Sequence, residues 1–214
     1  MLGIDEAGRG PAIGPLVVAG VRIAEKDNIT LKKLGVRDSK LVSPKERTFL
    51  AERIEGIVLW KKVVSVNANE IDEKMKRMSL NDIELEAMVE IINSCELIDG
   101  EDVIIDLPSN GPEFGRVLRT KIKNKKINLI LEHSADKNHI CVGAASIIAK
   151  DGREKQVANL HLLHGDFGSG YPHDPKTKKF LQKAVREKTS LEIIRTSWAT
   201  VKDLQKGMEQ RKLF

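Results

Sequence analysis

Three short apolar runs in this chain each lead into a carboxylate, and that repeated arrangement constrains the fold more than any other feature. The run 2–4 ends at Asp5 and Glu6, the run 103–105 ends at Asp106, and the run 127–131 leads to Asp136. Brief, β-branched and bounded by polar or glycine-rich sequence, such runs read as buried strands. A further strand is predicted over 16–23, after a segment holding Gly8, Gly10, Pro11, Gly14 and Pro15, and another over 57–66. Helix signals fall between them. Ser43-Pro44-Lys45-Glu46 supplies an N-cap, a proline at the first helical position and a capping-box acid, predicting a helix to about Gly56. Ser79 to Asp82 opens a longer one, with Ile83, Leu85, Met88, Val89, Ile91 and Ile92 on its apolar face. From Ile140, Gly143-Ala144-Ala145-Ser146-Ile147-Ile148-Ala149 reads as a buried helix that a neighbouring backbone approaches closely. A Gly/Pro-rich loop over 165–175 precedes basic, helical sequence. This alternation predicts an α/β body to about residue 168 and a helical extension over 169–214.

Composition narrows the class. With 214 residues, 41% of them apolar, the chain can bury one substantial core. Its longest apolar stretch is far short of the ~18 residues of a membrane span. Acids at positions 5 and 6 do not suit a secretory signal, so a cytosolic protein is the expectation. Cys95 and Cys141 lack the spacing of a zinc site or a disulfide framework and read as buried apolar residues. The net charge of +5 is uneven: residues 1–173 carry −1 and residues 174–214 carry +6. A basic segment beside a neutral body points to a polyanionic partner or, equally, to an ordinary solvated helix surface.

Asp5, Glu6, Asp106 and Asp136 are the candidate chemical groups. Carboxylates gathered at strand ends repel one another unless a cation lies among them. An all-oxygen donor set favours Mg²⁺ or Mn²⁺ over Zn²⁺, and such ions suit phosphoryl displacement by an activated water. Each acid alone could equally be a solvated carboxylate. Adjacent strand residues also point to opposite faces, so Asp5 and Glu6 share a site only at a strand end or irregularity. Gly8-Arg9-Gly10 could present backbone amides and a guanidinium to a phosphodiester, or be a plain turn. It matches neither a phosphate-binding Walker loop nor a dinucleotide fingerprint. Tyr171, the only tyrosine, sits behind Gly168-Ser169-Gly170 as a ring that could stack on a sugar or base, or merely anchor its loop. Lys40 and Lys150 are candidates for phosphates. His161 and His164 read as surface residues.

Taken together, these blocks resemble ribonuclease HII, the archaeal form most closely. The resemblance is carried in order by Gly3-Ile4-Asp5-Glu6-Ala7-Gly8-Arg9-Gly10 with Ile13-Gly14-Pro15-Leu16-Val17-Val18-Ala19-Gly20, then Asp38-Ser39-Lys40-Leu41, Ala135-Asp136, Ala144-Ala145-Ser146-Ile147-Ile148-Ala149-Lys150 and Gly168-Ser169-Gly170-Tyr171. It implies an RNase H-like mixed five-stranded sheet flanked by helices, with a small helical C-terminal region. It also implies an endoribonuclease that hydrolyses the RNA strand of RNA/DNA hybrids and cuts 5′ of ribonucleotides embedded in duplex DNA, leaving 3′-hydroxyl and 5′-phosphate ends. Under it, Asp5, Glu6, Asp106 and Asp136 are the catalytic, metal-binding acids, served by Mg²⁺ or Mn²⁺. Gly8, Arg9 and Gly10 hold the backbone at the ribonucleotide junction, and Tyr171 packs on the ribose bearing the 2′-hydroxyl. Lys40, Asn81, Ser146 and Lys150 become substrate-binding candidates, the basic tail a duplex clamp, and a monomer with no membrane association the expected state. Leu107, His139 and Asp151 depart from the pattern, and Asp151 bears on the assignment of Lys150. A noncatalytic hybrid binder, a small-molecule phosphohydrolase and a junction resolvase are the competing readings.

Overall fold

The computed structural model describes residues 1–36, 42–107, 112–189 and 191–210. Its strands are β1 (Leu2–Ala7), β2 (Leu16–Arg22), β3 (Trp60–Val66), β4 (Asp102–Asp106) and β5 (Asn128–Glu132). The helices are α1 (Asn28–Lys33), α2 (Pro44–Glu55), α3 (Ala68–Lys74), α4 (Leu80–Ser94), α5 (Pro112–Lys121), α6 (Ala135–Asn138), α7 (Ile140–His164), α8 (Pro175–Arg186) and α9 (Ala199–Gln210). The sheet runs β3-β2-β1-β4-β5, with β1 antiparallel to β2 and parallel to β4, and β4 parallel to β5. This is the mixed five-stranded α/β architecture expected.

Several elements form for reasons legible in the chain. The Ser43 hydroxyl accepts from the Glu46 amide at 3.4 Å while the Glu46 carboxylate accepts from the Ser43 amide at 2.9 Å, closing the capping box of α2. The strand expected from Ile57 begins only at Trp60, because Ile57 and Val58 both donate backbone bonds to Ile54 and extend the end of α2. The first strand is longer than its apolar run: pairing with β2 continues to Ala7 opposite Val17, so Asp5 and Glu6 lie inside β1. Helix α3 was not expected.

The chain divides into two compact units. The first comprises residues 1–7, 17–65 and 81–152, and the second residues 8–16, 66–80 and 153–214. In the first, α2 and the early turns of α7 cover one face of the sheet, where Val17, Ala19, Ile54, Ile104, Cys141, Ala145 and Ile148 form a core. On the other face α4 and α5 pack Met88, Ile91 and Leu118 against Leu2, Ile4, Val18 and Ile105. Close contact between α7 and β1 depends on Gly3, whose absent Cβ would lie 2.3 Å from the Cys141 carbonyl carbon. The second unit has its own core of Ile13, Val157, Phe167, Leu181, Ile194 and Val201. Cys95 and Cys141 are buried free thiols pushed up to about 11 by burial, which keeps them protonated at neutral pH. Among the described residues, no helix is long and apolar enough to cross a membrane.

Candidate active site

Because β1, β4 and β5 are parallel, the residues that follow their buried cores lie at one edge of the sheet, where α/β proteins place ligands. Pairing of β1 with β4 ends at Ile4 opposite Ile105, so Asp5 is the first residue of β1 past that ladder. Asp106 ends β4, and Asp136 sits on α6, just beyond β5. A left-handed residue, Ser134 at φ 57°, turns the chain from β5 into α6. The Ala135 amide then donates to Asp106 at 3.4 Å, tying that turn to the end of β4.

The result is a cluster: one carboxylate oxygen each from Asp5, Asp106 and Asp136 lies within 4.8 Å of the others. Asp5 and Asp136 are each only 6% exposed. Burial, reinforced by the charge of Asp106, pushes the Asp5 carboxyl up to about 7, although a Ser146 hydrogen bond and the Glu6 amide at 2.7 Å favour its ionised form. Lys150, one turn beyond Ser146 on α7, donates to the Ser146 hydroxyl at 2.8 Å and faces Asp5 electrostatically. Three partly dehydrated carboxylates in this arrangement fit a hard divalent cation: all donors are oxygen, and a cation among them relieves their mutual repulsion.

Glu6 is not among the three that converge. It lies opposite Val18 in β1 and β2, on the face carrying Leu2 and Ile4, whereas Asp5 lies opposite Ala19 on the α7 face. The strand's alternation, already an objection in the sequence, starts the two side chains from opposite faces. Lys40, with its Asp38-Ser39-Lys40-Leu41 block, lies outside the described residues. Asn81 is half-buried in the first turn of α4. Of the three departures, the buried Asp151 accepts from Thr48 at 2.8 Å. His139 bonds the Glu132 carboxylate at 2.7 Å, and the Leu107 amide bonds the Glu132 carbonyl at 3.0 Å.

In the second unit, Gly8-Arg9-Gly10 and Gly168-Ser169-Gly170-Tyr171 come together. Ala12 and Ile13 both donate to the Gly170 carbonyl, at 2.8 and 3.2 Å, and a Cβ on Gly10 would stand 3.5 Å from the Tyr171 ring. Gly8 has φ +89°, and a Cβ there would meet the Pro15 carbonyl at 2.5 Å, so only glycine makes this turn. The buried Arg153 guanidinium lies 5.4 Å from the Tyr171 ring centroid and donates to the Ser169 carbonyl at 3.3 Å. Asp174, held down to about 2 by hydrogen bonds from the Ser169 amide and hydroxyl, caps α8 through the Lys176 amide. His161 corrects its surface reading: it is half-buried, 4.2 Å from the Phe167 ring and bonded to the Gly168 carbonyl.

Sequence reasoning missed Arg153, Arg195 and Trp198. Arg195 belongs to the basic tail yet is fully buried, so it contributes nothing to a surface for polyanions. A tryptophan three residues after an arginine, in a chain with two tryptophans, was the available signal.

Comparison with known proteins gives one consistent result. The family model described as Ribonuclease HII matches residues 2–201. A Ribonuclease HII of Methanococcus maripaludis is 45% identical over 218 residues, covering 100% of this chain and 90% of the relative. The crystal structure of ribonuclease H2 from Pyrococcus horikoshii superposes with a TM-score of 0.89 at 36% identity, covering 98% of both chains. A PCNA:RNase HII complex from Archaeoglobus fulgidus contains a similar chain, with a TM-score of 0.85, 40% identity and coverage of 95% of this chain and 96% of that one.

Proposed function

Given that the chain belongs to the ribonuclease HII family, metal-dependent endoribonucleases that cleave the RNA of RNA/DNA hybrids and ribonucleotides in DNA, we propose how its residues divide that work. Asp5, Asp106 and Asp136 hold the divalent cation, Mg²⁺ or Mn²⁺, and Glu6, the next residue of β1, is assigned as the fourth carboxylate of the set by its place in the family's sequence pattern. The observation that carries this reading is the convergence of three carboxylates, two of them buried, at one sheet edge. A bound cation supplies water of lowered pKa and neutralises charge on the phosphorane-like transition state. The carboxylates orient the attacking oxygen in line with the 3′-oxygen leaving group, giving cleavage 5′ of the ribonucleotide with 3′-hydroxyl and 5′-phosphate ends. Ser146 and Lys150 favour the ionised form of Asp5 against its burial, and Lys150 also opposes the charge of the phosphodiester.

Recognition of RNA against DNA rests on the 2′-hydroxyl. We assign Gly8, Arg9 and Gly10 to the sugar–phosphate backbone at the ribonucleotide and Tyr171 to packing on its ribose. Lys40 and Asn81 complete the substrate-binding set. Residues 1–168 then act as the catalytic domain and residues 169–214 as the region gripping the duplex through exposed lysines, without reading base sequence. The protein works in this reading as a cytoplasmic monomer, away from membranes. Convergent buried acids count against a noncatalytic hybrid binder, which has no use for them.

The test is cleavage of a labelled DNA duplex containing one ribonucleotide, with Mg²⁺, with Mn²⁺ and with chelator, beside an all-DNA duplex. Metal-dependent cutting 5′ of the ribonucleotide, absent from the control, is expected. Tight binding without cutting under either metal would overturn the catalytic assignment.

A further inference from the structure

The loop from Gly8 to Gly14 is held from beneath by one side chain. Arg195, fully buried, donates from Nη2 to the Gly8 carbonyl at 2.7 Å, from Nη1 to the Arg9 carbonyl at 3.2 Å and from Nε to the Gly14 carbonyl at 2.9 Å. The Arg195 amide adds a bond to the Ala12 carbonyl at 2.9 Å. Trp198 extends the same surface: its Nε1 donates to the Gly10 carbonyl at 3.2 Å, and its ring stacks under the guanidinium at 4.7 Å. The segment between them is pinned in turn, since the Asp72 carboxylate accepts from the Thr196 amide at 2.6 Å and the Ser197 amide at 3.0 Å.

This pattern fixes where the Arg9 and Gly10 amides point. In a trans peptide the N–H lies opposite the C=O, and no described peptide bond is cis. With the Gly8 and Arg9 carbonyls drawn toward the guanidinium, the amides of Arg9 and Gly10 both face away from it. The Gly10 and Gly14 carbonyls precede Pro11 and Pro15, whose peptides have no N–H, so those two inward carbonyls turn no further donor outward. Two successive amides on one side of a turn form an anion-binding concavity. A planar guanidinium has the fork of donors needed to bind three carbonyls together, and a lysine ammonium does not.

We propose that Arg195, with Trp198, is the positioning pair of this enzyme's ribonucleotide selectivity: it holds the Arg9 and Gly10 amides as a preorganised two-donor receptor for an oxygen of the ribonucleotide's sugar–phosphate. This rests on the assignment of Gly8-Arg9-Gly10 to that backbone. Neither residue touches substrate. Their effect is exerted through the loop, which lowers the reorganisation needed when a single ribonucleotide must be gripped. A long hybrid offers many registers and depends less on that grip.

The experiment compares kcat and KM on a duplex with one embedded ribonucleotide and on a long RNA/DNA hybrid, for Arg195→Lys, Trp198→Phe and Gly10→Ala. Urea denaturation gives the folded fraction of each variant, and calorimetric titration with Mn²⁺ reports the carboxylate site. Arg195→Lys is expected to lose about tenfold more kcat/KM on the single ribonucleotide than on the hybrid, the scale of one charged hydrogen bond. Trp198→Phe keeps the aromatic ring and loses only the bond to Gly10, so it should shift selectivity the same way by less, with Mn²⁺ binding unchanged in both. Equal losses on the two substrates, or losses that vanish after correction for folded fraction, would overturn the inference. If Arg195→Lys does not fold, Trp198→Phe decides alone. If Gly10→Ala leaves selectivity intact, the assignment of the turn fails and this inference with it. If Gly10→Ala shifts selectivity while Arg195→Lys and Trp198→Phe do not, only the positioning role fails.

Discussion

Ser146 and Asp5 are joined by a hydrogen bond that favours the ionised carboxylate against a burial that opposes it. The hydroxyl itself receives the Lys150 ammonium at 2.8 Å, so a helical residue one turn away acts on a strand carboxylate through an intermediary. Removing the hydroxyl in Ser146→Ala should raise the Asp5 pKa further above about 7 in the metal-free protein. Metal requires the deprotonated carboxylate. Mn²⁺ affinity measured by calorimetry should therefore fall severalfold at pH 6 and much less at pH 9, with more protons released per ion bound at the lower pH. Equal weakening at both pH values would show that the hydroxyl acts by something other than the carboxylate's ionisation.

Asp5→Asn should abolish cleavage while sparing affinity for a hybrid measured by fluorescence anisotropy. The same variant carries a stability signature. The Asp5 pKa is raised on folding from 3.8 to about 7, so the native state binds the extra proton across that interval. Stability from this group is complete at low pH and is lost as pH rises toward 7. Above it the ionised carboxyl costs on the order of a few kcal/mol. The metal-free Asn variant should accordingly melt higher than the parent at pH 8 and nearly level with it at pH 4. An Asn variant that melts lower at pH 8 would contradict the assigned direction.

Tyr171→Ala should reduce cleavage at an isolated ribonucleotide by about tenfold while affecting long hybrids less, since it removes the apolar ring face assigned to the ribose, and burying such a ring contributes roughly 1.5–3 kcal/mol. Tyr171→Phe keeps the ring above Arg153 and should retain most of the selectivity. Steady-state kinetics on both substrates provide the comparison, and parallel losses would count against the ribose contact.

Gly3→Ala is the prediction for the scaffold. A methyl group 2.3 Å from the Cys141 carbonyl carbon and 2.4 Å from the Val142 amide nitrogen cannot be absorbed by rotating a side chain, because both neighbours are backbone. Helix α7 must move off β1, which should cost roughly 1–3 kcal/mol or more in chemical denaturation. Because α7 also carries Ser146 and Lys150, Mn²⁺ affinity should fall in protein that remains folded. A variant of native stability would mean that α7 is not held as closely as the structure has it.

Local chemistry along the chain already determined the class of fold and most of the chemical groups. The capping box at Ser43 and Glu46, the apolar runs leading to Asp5, Asp106 and Asp136, and the glycine turn at Gly8 depend on neighbours within a few residues, and such signals survive in one dimension. Even the conflict between Asp5 and Glu6 was visible, because strand alternation is a local rule. Tertiary structure decided the remainder. That three acids separated by as many as 131 positions meet within 4.8 Å follows from parallel pairing of β1, β4 and β5, which no local signal specifies. That Glu6 is not one of the three follows the alternation of β1, whose ladder with β2 continues to Ala7. The buried role of Arg195 was hidden because an arginine in a basic tail looks solvated in sequence. Only folding brings it, across 187 positions, to the Gly8 carbonyl that its charge-assisted hydrogen bond requires.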